Sequence, residues 1–500
     1  MAAGTPAAGS PAALRPWRST AARADRGSPR GALRRVLALP LVLGLTVLLP
    51  AFVALRPGAG LRDQAYWLQL VLTVYAGARL SAMILGRHRK LLQGTFWLFV
   101  YMAMGIAPLA QTVVGKYPVP VAGSRSDLAL AVGLVLVACA VFDAGALLVR
   151  PGVRPTARTV FRPAVVARRR VALLVALAFA GSGLFVAKLG GLGVFFSSRM
   201  EISEAVGNSG VAGAGSQAGT AMLRGFGTVP ALLALMVVTR WLITSPAARR
   251  RPLPWLTLVA LAGLNGIVNN PISNPRYWFL TVLLALLFTV FPQSPAMYRA
   301  ALTLGVAAAV LIFPFADRFR YDSANTPAAA QTSSVLDPLV LKDYDQMAMF
   351  ANTLTYADAG NGHTYGRQLA GSVLFFVPRS VWTAKPRDTG VMVSEWMAAA
   401  NTNRSSPLWA ELWLDFGPVG MVAGFGLIGW TAARVDRRYA HGVLRAGPAG
   451  VLTLAVPLVA GYSFILLRGP LLQASGRIAI GVVCLALITT LRPERWRQLR

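Results

Sequence analysis

The sequence predicts an all-α polytopic membrane protein of about twelve spanning helices, with a large outer loop before the last three. Three observations carry this reading. Of 500 residues, 55% are hydrophobic and 13% charged, with a mean hydropathy of +0.55, far more apolar than a soluble chain of several domains. Apolar runs of about twenty residues, the length that crosses a ~30 Å hydrocarbon core as helix, recur along the chain. The connections between them alternate between strongly basic and nearly neutral, and this alternation orients the bundle, because Lys and Arg collect on the cytoplasmic side.

Residues 1–32 are rich in Ala, Pro, Gly, Ser and Arg, with Asp25 as their one acid. Such a segment cannot bury a core and is expected to be a disordered cytoplasmic tail. Arg34 and Arg35 then precede an apolar run ending near Leu55. That run exceeds a signal-peptide core, so it reads as an uncleaved anchor, with a cleaved signal as the alternative. Residues 33–315 accommodate helices one to nine. Basic connections at 86–90 (GRHRK), 150–170, 246–252 (PAARRRP), 292–300 and 434–442, together with the tail 492–500, mark the cytoplasmic side. The expectation is then a multi-pass protein of the cell inner (cytoplasmic) membrane with both termini cytoplasmic. Outward, 191–219 opens GGLGVFFSSRMEISE and dissolves into Gly, Ala and Ser, and 270–276 (NPISNPR) is a tight turn. The segment 316–408 is the longest connection, and loops of that length carry function more often than mere linkage. Helices ten to twelve occupy 409–491.

The chain holds 49 Lys+Arg against 18 Asp+Glu, a formal +31. Most of these cations flank apolar runs, where they meet anionic lipid, so the charge is no argument for nucleic acid. The two cysteines, Cys139 and Cys484, lie inside apolar runs, which indicates neither a disulfide framework nor a thiolate metal site.

Within the long loop, 342–357 has apolar residues at helical spacing and is expected to lie as an amphipathic helix on the membrane or against the bundle. The stretch LAGSVLFFVP, ending at Pro378, is too short to span and is expected to dip into the interface, delivering Arg379 at headgroup level. VPRSVWTAKPRDTG, residues 377–390, then sets Arg379, Lys385 and Arg387 among prolines and Trp382. These cations stand on the outer side, so the cytoplasmic bias of Lys and Arg does not account for them. An arginine fork and a lysine point charge suit phosphate; snorkelling toward lipid phosphates, with Trp382 as an interfacial aromatic, is the other reading.

Glu411 and Asp415 follow at the outer end of the next helix, four residues apart and so on one face. A carboxylate at a helix centre in the membrane costs roughly 2.5 to 3.5 kcal/mol and calls for a partner or a task. Glu411 can orient an arginine or take a proton from an acceptor hydroxyl, whereas Asp415 equally suits the dipole at its own helix start. Further outward or intramembrane cations are Arg199, Arg276, Arg318, Arg320, Arg404, Arg468 and Arg477. Arg199 and Arg276 stand out, each beside aromatic residues at the edge of an outer loop. His363 is a candidate general base, with plain loop polarity as the alternative. There is no Walker A loop, HExxH, Cys-pair spacing or G-x-S-x-G elbow. The first outer loop offers Asp63 alone, so a metal-independent site built from cations and carboxylates, without a cofactor, is the expectation.

The order HTYGRQLAGSVLFFVPRSVWTAKP and then SPLWAELWLDFGPVGMVAGFGLIG, with GGLGVFFSSR and NPRYWF upstream, resembles the bacterial O-antigen polymerase (Wzy-type, oligosaccharide repeat-unit polymerase) family. These motifs cover about a quarter of the chain. The resemblance implies a GT-C-like membrane glycosyltransferase that moves a glycan from polyprenyl pyrophosphate onto another lipid-linked repeat unit at the outer face, building a surface polysaccharide. It implies pyrophosphate contacts at Arg199, Arg276 and Arg379, with Lys385 in the KP element and Glu411 in the ELWLDFG element (E-x4-FG). Its expected partners are the lipid-linked donor and acceptor, the bilayer and a chain-length regulator. The glycine-rich part of 191–219 and the long basic tail depart from the family pattern. A ligase that moves finished glycans shares the architecture, and a lipid-linked oligosaccharide flippase is the alternative of a different class.

Overall fold

The computed structural model describes residues 38–86, 88–149, 165–197, 217–271, 274–311, 337–340, 344–402, 404–445 and 450–490. Both expected tails, the glycine-rich part of 191–219 with Arg199, and Asp317, Arg318, Arg320 and Asp343 lie outside them.

In chain order the helices are α1 (Ala38–Ala54), α2 (Gln64–Leu85), α3 (Leu91–Val114), α4 (Arg125–Leu147), α5 (Arg168–Lys188), α6 (Gln217–Thr244), α7 (Pro252–Val268), α8 (Arg276–Val290) and α9 (Pro295–Leu311). Three short helices follow in the long connection, α10 (Gln346–Tyr356), α11 (Arg367–Val373) and α12 (Thr389–Trp396). The chain closes with α13 (Leu408–Arg445), α14 (Leu452–Arg468) and α15 (Leu471–Ile488). Seven helices, α2 to α6 with α13 and α15, contain stretches long and apolar enough to cross a membrane, and α1, α7, α8 and α14 are shorter apolar helices. Among the described residues the β structure is one antiparallel pair, Val165–Val166 with Thr489–Thr490, which ties the start of α5 to the end of α15. The chain is thus a mostly helical, multi-pass membrane protein.

Helix starts follow local chemistry. Asp63 caps α2 by accepting from the Tyr66 amide at 3.2 Å and holds Arg125, at the start of α4, through bonds of 2.7 and 2.9 Å. Asp63 therefore fastens the α1–α2 connection to the α3–α4 connection. Ser124 and Asp127 form a reciprocal capping box at α4.

α3 is the central helix. It is apolar all round and almost wholly buried, as a helix surrounded by others must be. Two cores flank α8 and α14. The first collects α2, α3, α4, α10 and α13, and the second α5, α6, α7 and α15. Adjacent aromatics of α8 divide between them, Tyr277 entering the first and Trp278 the second.

α10 falls in the segment expected to be amphipathic. It packs against the bundle, with Gln346 through Leu354 buried on every side. In α11 and the residues after it, Val373, Phe376 and Val381 are 64%, 58% and 77% exposed.

Candidate functional site

The upstream motifs meet at the start of α8. Asn270 donates to the Phe195 carbonyl at 3.0 Å, which fastens the GGLGVFF stretch to the NPISNPR turn. Asn269 accepts from the Trp278 indole at 2.7 Å and fixes that ring. Arg276 opens the helix. Beyond it, Tyr277 lies under the Arg468 guanidinium, 5.1 Å from ring centre, and Trp278 under that of Arg477, at 4.2 Å. Cations over these ring faces gain from the aromatic quadrupole.

Small residues bring a second arginine to Arg477. A Cβ added to Gly476 of α15 would stand 3.0 Å from Ala221 Cβ of α6, and one added to Gly225 would stand 3.6 Å from Arg477 Cα. The Ala-x-x-x-Gly face of α6 thus meets α15 with almost no side chain between them. Arg224, next to Gly225, is close enough for its charge to act on Arg477. Among the described residues, Nε and Nη2 of Arg477 are buried with no hydrogen-bond partner. A guanidinium has donors only, so what would complete this environment is an acceptor. Each arginine sits about 10 Å along its helix from the helix start, at 1.5 Å per residue.

Carboxylates stand one turn above. Gln473, four residues before Arg477 on the same face of α15, donates to Asp388 Oδ2 at 2.9 Å. Thr389 donates its hydroxyl to Glu411 Oε2 at 2.8 Å, and the Leu471 amide at the start of α15 also bonds Glu411. Asp388 and Glu411 are 1% and 4% exposed. The result is a polar seam between α12, α13 and α15, acidic at the level of the α15 start and cationic one turn further along α15.

The three loop cations do not converge on an open site. Arg379 donates to the carbonyls of Lys385 and Pro386 at 2.6 and 3.0 Å. Lys385 Nζ donates to those of Phe375 and Val377 at 2.6 and 2.8 Å, and burial, with Arg379 nearby, pulls its pKa down. Arg387 pairs with Glu395 at 2.8 Å in solvent. Together they fold residues 375–387 into a strap that delivers Asp388 and Thr389 to Glu411 and Gln473.

Glu411 and Asp415 likewise have separate tasks. Asp415 accepts from the Thr364 hydroxyl at 2.5 Å and from the Gln368 and Leu369 amides at 2.9 and 2.7 Å. It therefore caps α11 instead of favouring the start of its own helix. Gly417, at φ +63°, precedes Pro418, and the break they cause leaves the Leu414 carbonyl for the Thr364 amide, 2.8 Å away. His363 lies against this break, its ring edge-on to Trp413 at 6.0 Å and its Nδ1 buried with no hydrogen-bond partner among the described residues. This seating joins the HTYGRQ and DFGP motifs in space.

Of the residues singled out from sequence, Glu411 and Arg477 border the seam; Arg276 opens α8, whose Tyr277 and Trp278 lie under Arg468 and Arg477; Arg379, Lys385 and Arg387 brace the strap; His363 sits at the α13 break; Arg199 lies outside the described residues. Sequence reasoning passed over Arg224, Asp388 and Gln473. For Arg224 a signal existed, since an arginine within an apolar run is costly. Among the described residues no three His, Cys, Asp or Glu side chains gather as metal ligands. Comparisons with protein-family models, curated proteins and solved structures find no significant match to this chain.

Proposed function

We propose that this chain is a membrane glycosyltransferase of the O-antigen polymerase kind, with about twelve spans in a GT-C-like arrangement and both termini cytoplasmic. It lengthens polyprenyl-pyrophosphate-linked oligosaccharide repeat units at the outer face of the cytoplasmic membrane. The observation that carries this reading is the Arg477 guanidinium, buried beside Arg224 with donors unmet. Like unit charges repel by about 4 kcal/mol at 4 Å and an effective dielectric of ~20, and by half that at twice the distance. A diphosphate offsets that repulsion and supplies the acceptors.

In this mechanism the donor diphosphate lies against Arg224 and Arg477, with Arg276 at its flank. The bond from the anomeric carbon to the phosphate oxygen breaks, and the diphosphate leaves with the electron pair. The acceptor hydroxyl forms the new glycosidic bond and gives its proton to Glu411, or alternatively to His363. The cations act on charge that develops as the bond breaks, where one well-placed donor is worth roughly 10²–10³ in kcat.

The test is full-length protein in nanodiscs, fed a lipid-pyrophosphate-linked repeat unit, with product length followed on a gel. Wild type should give a ladder and Arg477→Gln should lose it while still purifying as a monodisperse protein. An unchanged ladder in Arg477→Gln refutes the site. A single-step product assigns a ligase, and donor moved across the bilayer without reaction assigns a transporter.

A further inference from the structure

A second set of unmet donors lies at the other end of α6. Arg240 is sixteen residues from Arg224, about 24 Å along the helix, so this region is independent of the reading above. Arg240 is 8% exposed; its Nη1 reaches the Thr289 carbonyl at 3.3 Å, and its Nε is buried with no hydrogen-bond partner among the described residues. Tyr439 of α13 is 2% exposed, with its hydroxyl equally unmet. Arg89, from the connection between α2 and α3, donates to the Pro292 carbonyl at 2.5 Å, and its charge and that of Arg240 both act on the Tyr439 hydroxyl.

The neighbouring charges do not complete this cluster. Asp436, one turn before Tyr439, is occupied by the Leu92 and Gln93 amides and the Gln93 side chain at 3.0 to 3.2 Å, where it caps α3. Lys90 and Arg437 add positive charge. The unmet Arg240 Nε–H can only donate and the Tyr439 hydroxyl is free to donate to the same atom, so what completes the cluster is an acceptor, and the surplus of cations favours an anion. Two apolar side chains indicate its source. Ile243, three residues after Arg240, and Phe291, next to Pro292, are 40% and 45% exposed beside the cluster, where acyl chains would lie. Basic pockets between membrane helices suit anionic headgroups.

We propose that Arg89, Arg240 and Tyr439 hold the phosphate of an anionic phospholipid from the leaflet bordering this end of the bundle. The experiment is native mass spectrometry of the delipidated full chain, titrated with phosphatidylglycerol, with phosphatidylcholine, and with phosphatidylglycerol in the presence of inorganic phosphate. One phosphatidylglycerol should bind at least roughly tenfold more tightly than phosphatidylcholine, and Arg89→Gln or Arg240→Gln should each weaken it roughly tenfold or more, as loss of a charge-assisted bond requires. Tyr439→Phe keeps the packing and deletes only the hydroxyl, so it tests the site even if an arginine variant fails to fold; it should weaken binding several-fold. Equal retention of both lipids, or no change in any folded variant, would overturn the proposal. Displacement of the lipid by millimolar phosphate would overturn the lipid assignment in favour of a free anion.

Discussion

Lys385 separates a cation that holds a ligand from one that holds the protein. In Lys385→Met the stem and volume stay and the donors go, leaving the Phe375 and Val377 carbonyls without the ammonium now 2.6 and 2.8 Å away. Phe375 is buried and Val377 half-buried, so water can reach the second but not readily the first. The cost is then about 2–3 kcal/mol, near that of stranding one buried acceptor and weakening a second bond to a charged donor. That cost falls on the strap, whose open population should rise roughly 30- to 150-fold. Trypsin cleavage after the exposed Arg379 should rise by the same factor when opening is fast relative to cleavage. Arg387→Gln breaks only an exposed pair with Glu395, worth less than about 1 kcal/mol, and should raise that cleavage less than fivefold. Because the lysine pKa is lowered in the closed strap, the open form binds the proton more tightly. Wild-type protection should therefore increase as pH rises from the lowered value toward 10.5, and Lys385→Met should lack that trend. Cleavage within twofold of wild type in Lys385→Met, combined with lost activity, would refute the brace and return this lysine to a phosphate.

Asp415→Ala removes the cap of α11 and three hydrogen bonds, and should cost about 2–4 kcal/mol. Thermal unfolding in detergent should show a clear drop in Tm, with Asp415→Asn losing less than half as much. Gly476→Val places a branched side chain where even a Cβ meets Ala221 at 3.0 Å. About 1–3 kcal/mol of overpacking should follow, with the proposed polymerising activity lost at unchanged yield if the α6–α15 contact sets the two arginines. The Asp63 pKa is lowered, chiefly by its bond to Arg125, so its contribution is present above pH 3.8 and lost as pH falls through the depressed value. The pair is partly exposed and worth about 1 kcal/mol or less; Asp63→Asn should flatten the acid limb of a Tm-versus-pH profile.

The helices were legible because lipid imposes length and composition on anything that crosses it. HTYGRQ and DFGP meet at the Gly417–Pro418 break, a contact that the order of the motifs along the chain does not itself predict. What sequence hides is the partner of each polar group. Arg379 and Lys385 read as ligand tools because their side chains show in the sequence, whereas the carbonyls of Phe375, Val377, Lys385 and Pro386 that satisfy them belong to a backbone every residue shares. Arg224 was passed over for the converse reason. An arginine within an apolar run is costly and so draws notice, but its position acquires meaning only where Ala221 and Gly225 meet Gly476, some 250 residues on. A cation in such a chain is therefore informative after its acceptors are counted. By that count the strap at 375–387 contributes geometry, placing Asp388 and Thr389 over the seam, and the cation whose donors stay unmet among the described residues, Arg477 beside Arg224, lies on α15 against α6.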